Sequence, residues 1–325
     1  MTLLFPYTGK KTNIMMWTIK CVTDLRSGGK YFLAVLLFFS SWKMSAQMEQ
    51  KNIYKLAMVQ MQVDAGQPEQ NLRRATQRIR SAAQAGASLA LLPEAMDLGW
   101  TDPAAKTKAE HIPSGRVCQT LMQAAKENQI YVCAGVIEKD GAATYNSAII
   151  INPAGEVILK HRKLNELDIA HDLYAQGSGL NVVPTPLGTF GLYICADATA
   201  AGNNLSHALG YMGADVILSP CAWAVPPDFD QQKTPYGETW RRPYADVSKR
   251  FDLYVVGVSN VGKINAGPWQ DWDCIGNSLA YAPGGKEIIQ APFGVRADTI
   301  IYVDISLKTR PARGTGWSQW WTKEQ

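Results

Sequence analysis

Short apolar segments alternate with amphipathic segments along most of this chain. Residues 53–62 alternate apolar and polar side chains, which predicts a first β-strand. Residues 71–85 place apolar side chains on one helical face, and Gly86 follows, where a left-handed residue can end the helix. Residues 89–92 are continuously apolar, which is typical of a buried parallel strand.

The alternation continues through the remainder of the chain. Three more helices are predicted: one with Ser114 as its N-cap, one at about 205–212 and one at about 238–250. The turn at 152–156 is flanked by two strand-like segments and predicts a hairpin. Strands are predicted at 130–138, 145–151, 157–160, 189–194, 214–219, 253–260, 278–281, 286–289 and 299–303. This order predicts one layered α/β domain with its site at the carboxyl ends of strands.

Composition supports a folded domain and argues against a nucleic-acid partner. Hydrophobic residues make up 46% of the chain and charged residues 18%, which is enough apolar surface for a packed core. The formal charge is +4, but residues 1–46 hold six basic residues and one acidic residue. The remainder therefore carries a net charge of about −1, and no basic surface for nucleic acid is expected.

The first 46 residues have the pattern of a leader. Basic residues precede the apolar segment 31–39, and small residues around Ala46 follow it, which predicts a secretory signal. The apolar segment is short for a bilayer span, although an uncleaved membrane anchor is the alternative. We therefore expect a secreted or periplasmic protein whose mature chain is 47–325, with a domain core at about 53–306 and a C-terminal tail.

The cysteines do not form a metal-binding or disulfide pattern. They are widely spaced, without a Cys-x-x-Cys pair or histidines at metal-ligand spacing, so we expect no metal and no cofactor. Five remain after the leader, and an odd number leaves at least one free thiol. The six are Cys21, Cys118, Cys133, Cys195, Cys221 and Cys274.

Three reactive side chains each follow an apolar strand. Glu94, Lys163 and Cys195 could together perform acyl transfer, with a carboxylate base, a thiol nucleophile and an ammonium that stabilises the oxyanion. Each residue also has an ordinary structural interpretation. A lone cysteine is usually a core residue, a glutamate after a strand a helix cap, and a lysine in a basic segment a solvated side chain.

The chain resembles the nitrilase superfamily of carbon–nitrogen hydrolases. The resemblance depends on the order and spacing of several motifs between about residues 53 and 306, and it implies a four-layer αββα sandwich. It also implies a catalytic triad with Glu94 as general base, Lys163 as oxyanion stabiliser and Cys195 as nucleophile. The matching stretches are 91–94, 145–148, 152–155, 161–163, 191–197, 253–262 and 276–278.

Two departures from the superfamily pattern concern the substrate pocket. Many members carry a second glutamate between the lysine and the cysteine; here the candidates are Asp172, which we favour slightly, and Glu166. Ala196-Asp197 follows the cysteine where nitrilases have Trp-Glu, and this favours amide or carbamoyl substrates over nitriles. Asp197 and Trp223 are the candidate substrate-binding residues, and Trp240 and the aromatic residues of 269–272 are further candidates to line the pocket.

We therefore expect a hydrolase that acts on a small-molecule amide or carbamoyl substrate through a thioester, and a homo-oligomer. Two alternatives stay open. A catalytically silent binding protein is suggested by the altered second-glutamate position, and acyl transfer to an amine would use the same three residues.

The leader pattern predicts cleavage near Ala46. N-terminal sequencing of the protein purified from its native host should return a sequence that starts at about residue 47. An intact leader on protein in the cytoplasmic fraction would contradict export.

Overall fold

The computed structural model describes residues 53–308, and the predicted leader and C-terminal tail lie outside this range. Two six-stranded sheets and one three-stranded sheet make up the strands of this part of the chain. The strands are β1 (Ile53–Gln60), β2 (Leu89–Leu91), β3 (Tyr131–Asp140), β4 (Ala143–Ile151), β5 (Val157–Arg162), β6 (Val182–Thr185), β7 (Gly188–Leu192), β8 (Val216–Cys221), β9 (Ala224–Val225), β10 (Tyr254–Ser259), β11 (Val261–Lys263), β12 (Asp273–Ile275), β13 (Leu279–Ala282), β14 (Lys286–Gln290) and β15 (Thr299–Ser306).

The two large sheets have related strand orders. The first sheet runs β15-β1-β2-β3-β4-β5, and the second runs β14-β13-β10-β8-β7-β6. In the first, β1, β2 and β3 are parallel, and β3, β4 and β5 form the antiparallel meander that includes the predicted hairpin. In the second, β7, β8 and β10 are parallel. The small sheet is β11-β12-β9.

Helices cover the outer faces of both sheets. They are α1 (Pro68–Gln84), α2 (Ala105–Lys108), α3 (Arg116–Asn128), α4 (Asn204–Tyr211) and α5 (Glu238–Phe251). Short 3-10 segments occur at Asp168–Ala170, Cys195–Thr199 and Ala201–Asn203. Among the described residues, no helix combines the length and the apolar character needed to cross a membrane.

Strand β1 shows how the layers are built. Its Leu56 and Met58 belong to the core between the sheets, whereas Ala57 and Val59 belong to the core beneath α1 and α3. Successive strand side chains point to opposite faces, so a strand buried on both faces needs apolar residues at nearly every position. Because helices cover the outer faces, the predicted four-layer αββα sandwich is confirmed.

The predicted elements are present with shifted ends, and one predicted cap is wrong. Ser114 does not cap α3, which begins at Arg116 after Gly115. The carboxylate of Glu110 instead accepts a hydrogen bond from the Val117 N–H at 2.9 Å. A Cβ at Gly115 would lie 2.6 Å from the Cβ of Glu110, so the glycine gives this acid room to approach the helix start.

Gly135 on β3 determines where the segment after β2 can lie. A Cβ at this position would meet the Glu94 Cα at 2.5 Å and the Pro93 carbonyl oxygen at 2.8 Å. The Gly135 N–H also donates to that carbonyl at 3.0 Å. The absence of a side chain therefore lets the backbone of Glu94 pack directly against the neighbouring strand.

Gly135→Ala should displace this backbone, since contacts this short force movement. We expect a loss of about 1–3 kcal/mol in the free energy of unfolding, as for other overpacked core sites. Urea denaturation measures it. Gly179→Ala is the matched control, because a Cβ there meets nothing within 4 Å. Equal stability of the two variants would contradict the close packing at Gly135.

Candidate active site

Three strand ends bring Glu94, Lys163 and Cys195 to one cavity of about 220 Å³. Glu94 follows β2 and Lys163 follows β5, both in the first sheet, and Cys195 follows β7 in the second. The Glu94 N–H donates to the carbonyl of Cys221, at the end of β8, at 3.2 Å. The site therefore lies between the two sheets, and each sheet contributes part of it.

Lys163 is a buried cation held by two carboxylates. Its Nζ lies 2.8 Å from Glu94 Oε1 and 3.1 Å from Glu166 Oε2, and its side chain is 2% exposed. Burial by itself disfavours the ammonium, but the charges of Glu94 and Glu166 outweigh this effect and hold the pKa of Lys163 well above its usual value. Lys163 therefore carries its positive charge throughout the physiological range.

The second carboxylate is Glu166, and the slight preference for Asp172 is wrong. Asp172 is exposed, whereas Glu166 is buried against Lys163. Glu166 follows Lys163 by three residues, so the turn after β5 brings the carboxylate directly back onto the ammonium. Burial, reinforced by the charge of Glu94, raises the pKa of Glu166, and Lys163 opposes this rise.

Asn146 on β4 joins the two carboxylates, a role that the sequence analysis did not assign. Its Nδ2 donates to Glu94 Oε1 at 2.6 Å and to Glu166 Oε1 at 3.1 Å. The backbone carbonyl oxygen of Asn146 accepts a hydrogen bond from the backbone N–H of Lys163 at 2.9 Å. The sequence did contain a signal for Asn146, because this residue lies in the stretch 145–148, which carries part of the family resemblance.

Cys195 occupies a strained position at the start of a 3-10 segment. Its φ is +45°, in the left-handed region that non-glycine residues adopt rarely and at an energetic cost. Burial raises the pKa of the thiol well above its ordinary value, and a hydrogen bond with Cys221 and the charge of Glu94 act in the same direction. Lys163 acts in the opposite direction. The surroundings of the resting sulfur therefore favour the neutral thiol over the thiolate.

Asp197 braces the site and does not line the cavity, so its prediction as a substrate-binding residue is wrong. It is fully buried, and its Oδ2 lies 2.8 Å from His161 Nε2. Its Oδ1 accepts the N–H groups of Leu164 and Asn165 at 3.0 and 2.7 Å. Burial raises the pKa of Asp197, but the hydrogen bond and charge of His161 and the backbone donors outweigh it and lower the pKa overall.

Aromatic rings line much of the cavity. Trp223, the other predicted substrate-binding residue, lies in this lining, and so do Trp240 and Trp269. Sequence reasoning missed Trp100 and Tyr236, which also line it. Both lie in loops, where no periodic pattern marks the direction of a side chain, although Trp100 stands only six residues after Glu94.

The five cysteines within residues 53–308 are all free thiols. In the same range, no group of three or more His, Cys, Asp or Glu side chains is placed to hold a metal ion. The side-chain polar groups of the cavity lining are those of the Glu94, Lys163 and Cys195 cluster, a few hydroxyl groups and the indole N–H groups, of which those of Trp100 and Trp223 have no hydrogen-bond partner among the described residues.

Comparisons with known proteins identify relatives of this chain. The family model described as carbon-nitrogen hydrolase matches residues 55–313. Omega-amidase NIT2 from Bos taurus is 29% identical over 78% of this chain and 89% of its own length. A nitrilase from Pyrococcus abyssi is 33% identical over 53% of this chain and 66% of its own length, just under two thirds of that relative.

Solved structures share the fold at low sequence identity. Nit3 from Saccharomyces cerevisiae, a member of the nitrilase superfamily, superimposes with a TM-score of 0.66 at 23% identity, covering 78% of this chain and 90% of its own. A carbon-nitrogen hydrolase from Helicobacter pylori G27 gives a TM-score of 0.70 at 16% identity, covering 79% and 90%. At these identities the likeness shows the fold alone.

Glu166→Gln should change how stability depends on pH. Because the pKa of Glu166 is raised, the unfolded chain loses this proton at a lower pH than the folded chain. Wild-type stability therefore falls as pH rises above the ordinary value of 4.5, and the variant should lack this loss. Urea denaturation at a series of pH values measures this effect. The free energy of unfolding of the variant minus that of the wild type should increase with pH.

Asp172→Asn is the matched control, because Asp172 is an exposed carboxylate nearby in sequence. This variant keeps Glu166, so its free energy of unfolding should still show the fall that Glu166 causes as pH rises above 4.5. A flat difference for Glu166→Gln would argue against a raised pKa at that position.

Proposed function

The chain belongs to the carbon–nitrogen hydrolase family, and we propose that it hydrolyses an amide or N-carbamoyl bond of a small molecule through a Cys195 thioester. The observation that carries the proposal is the contact of Glu94 Oε1 with Lys163 Nζ at 2.8 Å, in the cavity that Cys195 also lines. The relatives named as omega-amidases, which match over most of their length, support an amide substrate.

The first half-reaction forms the thioester. Glu94 takes the proton of the Cys195 thiol while Sγ attacks the carbonyl carbon of the substrate. The carbonyl π electrons move to oxygen, and the ammonium of Lys163 stabilises the negative charge that develops there. Protonated Glu94 then gives its proton to the departing nitrogen, the C–N bond breaks, and the amine or ammonia leaves.

The second half-reaction regenerates the enzyme. Glu94, again ionised, takes a proton from a water molecule as the water oxygen attacks the thioester carbon. Collapse of the tetrahedral intermediate breaks the C–S bond and releases a carboxylic or carbamic acid. The proton on Glu94 returns to the sulfur, so one water is consumed for each C–N bond broken.

Glu166 and Asn146 hold in place the two charged groups of this scheme, the Glu94 carboxylate and the Lys163 ammonium. Lys163 Nζ contacts the carboxylates of Glu94 and Glu166, and Asn146 Nδ2 donates to one oxygen of each. The altered second-glutamate position was the reason to consider a catalytically silent protein, and Glu166 removes that reason. Acyl transfer to an amine would use the same first half-reaction, and no contact in the cavity favours it.

We propose that the protein is exported after leader cleavage and that it assembles as a homo-oligomer. N-terminal sequencing tests the cleavage of the leader. Light scattering of the purified mature chain measures the oligomeric state.

Cys195→Ala should reduce kcat by about 10³-fold or more, because the nucleophile is lost. Cys195→Ser should be nearly as inactive, since a carboxylate is a weak base for an alcohol. Glu94→Gln should also abolish turnover, because no base remains for the buried thiol. The measurement is ammonia release from a panel of amides and carbamoyl compounds, with mass spectrometry for the acyl-enzyme.

Cys118→Ala is the matched control, because Cys118 is a buried thiol on α3 that packs beneath the first sheet. It should keep near-wild-type turnover. Iodoacetamide should label Cys195 before Cys118, Cys133, Cys221 and Cys274, which do not line the cavity. Unchanged activity in Cys195→Ala, with labelling spread over all the thiols, would overturn the mechanism.

A further inference from the structure

We infer that the cavity beside Cys195 selects an uncharged amide with a small apolar acyl group and disfavours amides that carry a second carboxylate. The inference rests on the proposed function for the reaction itself. It goes beyond that function by naming the chemistry of the part of the substrate that does not react.

The charge of the lining is the first observation. Among the described residues that line the cavity, Lys163 is the one basic side chain and Glu94 the one acidic side chain. Lys163 is already held by Glu94 and Glu166, at 2.8 and 3.1 Å. A second carboxylate on the substrate would therefore find no free cation, and burying an unpaired charge is costly.

The second observation is the apolar wall of the cavity. One part of this wall comes from the loop after β8 and from α5. Trp223 stacks on Trp240, with ring centroids 5.0 Å apart and an interplanar angle of 22°. The Trp240 Nε1–H donates to the Tyr236 hydroxyl at 3.0 Å, so this donor already has a partner. These contacts fix the rings and leave for a substrate a surface that is apolar apart from the neutral indole N–H groups of Trp100 and Trp223, which have no hydrogen-bond partner within residues 53–308.

The second part of the wall comes from the loops after β2 and β11. Trp269 stacks on Trp272 at 4.3 Å and meets Trp100 edge-on at 4.9 Å. Lys163 Nζ lies 5.5 Å from the Trp100 ring centroid, so this wall adjoins the charged cluster. The remaining lining includes Leu167, Ala222 and Ala224.

The size of the cavity limits the acyl group. Its volume of about 220 Å³ is below the roughly 300–1,000 Å³ typical of sites for drug-sized ligands. A short alkyl chain or a single ring fits this volume. Because the surrounding rings are packed against one another, the cavity is preformed, and little side-chain ordering is needed when such a group enters.

A matched pair of amides tests the charge preference. Pentanamide and glutaramate have the same chain length, and in glutaramate a carboxylate replaces the terminal methyl group. We expect kcat/KM for pentanamide to exceed that for glutaramate by about tenfold or more, measured by ammonia release. Equal or higher kcat/KM for glutaramate would overturn the inference.

Thr239 allows the missing counter-ion to be added. It lines the cavity from the first turn of α5, and its residue is exposed. Thr239→Arg should reduce the preference for pentanamide over glutaramate at least about threefold, because a cation now faces the carboxylate. Thr239→Gln, a long but neutral side chain, should keep the wild-type ratio. An unchanged ratio in Thr239→Arg would count against a charge-based preference.

Binding to Cys195→Ala separates this inference from the proposed reaction. Tryptophan fluorescence of that variant, titrated with each amide, reports occupancy of the cavity without turnover. Tighter binding of pentanamide supports the inference even if no amide is hydrolysed by the wild type. Tighter binding of glutaramate, or binding of neither amide, overturns it even if the Cys195 chemistry is established.

Discussion

A buried ammonium is the constraint on which this site depends. Lys163 is almost fully withdrawn from water, and an isolated charge in that position would not survive. It is stable because Glu94 and Glu166 contact it, and because Asn146 bonds to both carboxylates. The ends of β2, β4 and β5 must therefore meet for this charge to stay paired.

The convergence of Glu94, Lys163 and Cys195 on one cavity was predictable because it depends on a simple relation between sequence and topology. Glu94, Lys163 and Cys195 each follow a strand, and parallel strands of layered α/β proteins bring their carboxyl ends to one edge. Apolar segments show where strands end even when their exact boundaries are uncertain by two residues. The αββα arrangement follows from the same pattern, since strands such as β1 are apolar on both faces.

The errors at the candidate site share one physical cause, which is that side-chain direction in turns has no periodic signal. Spacing favoured Asp172, but the turn after β5 brings Glu166 back onto the lysine. Asp197 stands beside the nucleophile in sequence, yet its side chain turns away from the cavity to bind backbone N–H groups. Trp100 and Tyr236 were missed because a loop, unlike a strand or a helix, has no periodic pattern that shows which side chains face the cavity.

The division of the candidate site between the two sheets makes its geometry depend on how one sheet packs on the other. Glu94 and Lys163 follow strands of the first sheet, and Cys195 follows a strand of the second. Hydrogen bonds cross between the sheets at the site, from the Glu94 N–H to the Cys221 carbonyl and from the Leu164 and Asn165 N–H groups to Asp197. The core between the sheets, to which Leu56 belongs, therefore sets the registration of the site, whereas the core beneath α1 and α3, to which Val59 belongs, supports only its outer layer.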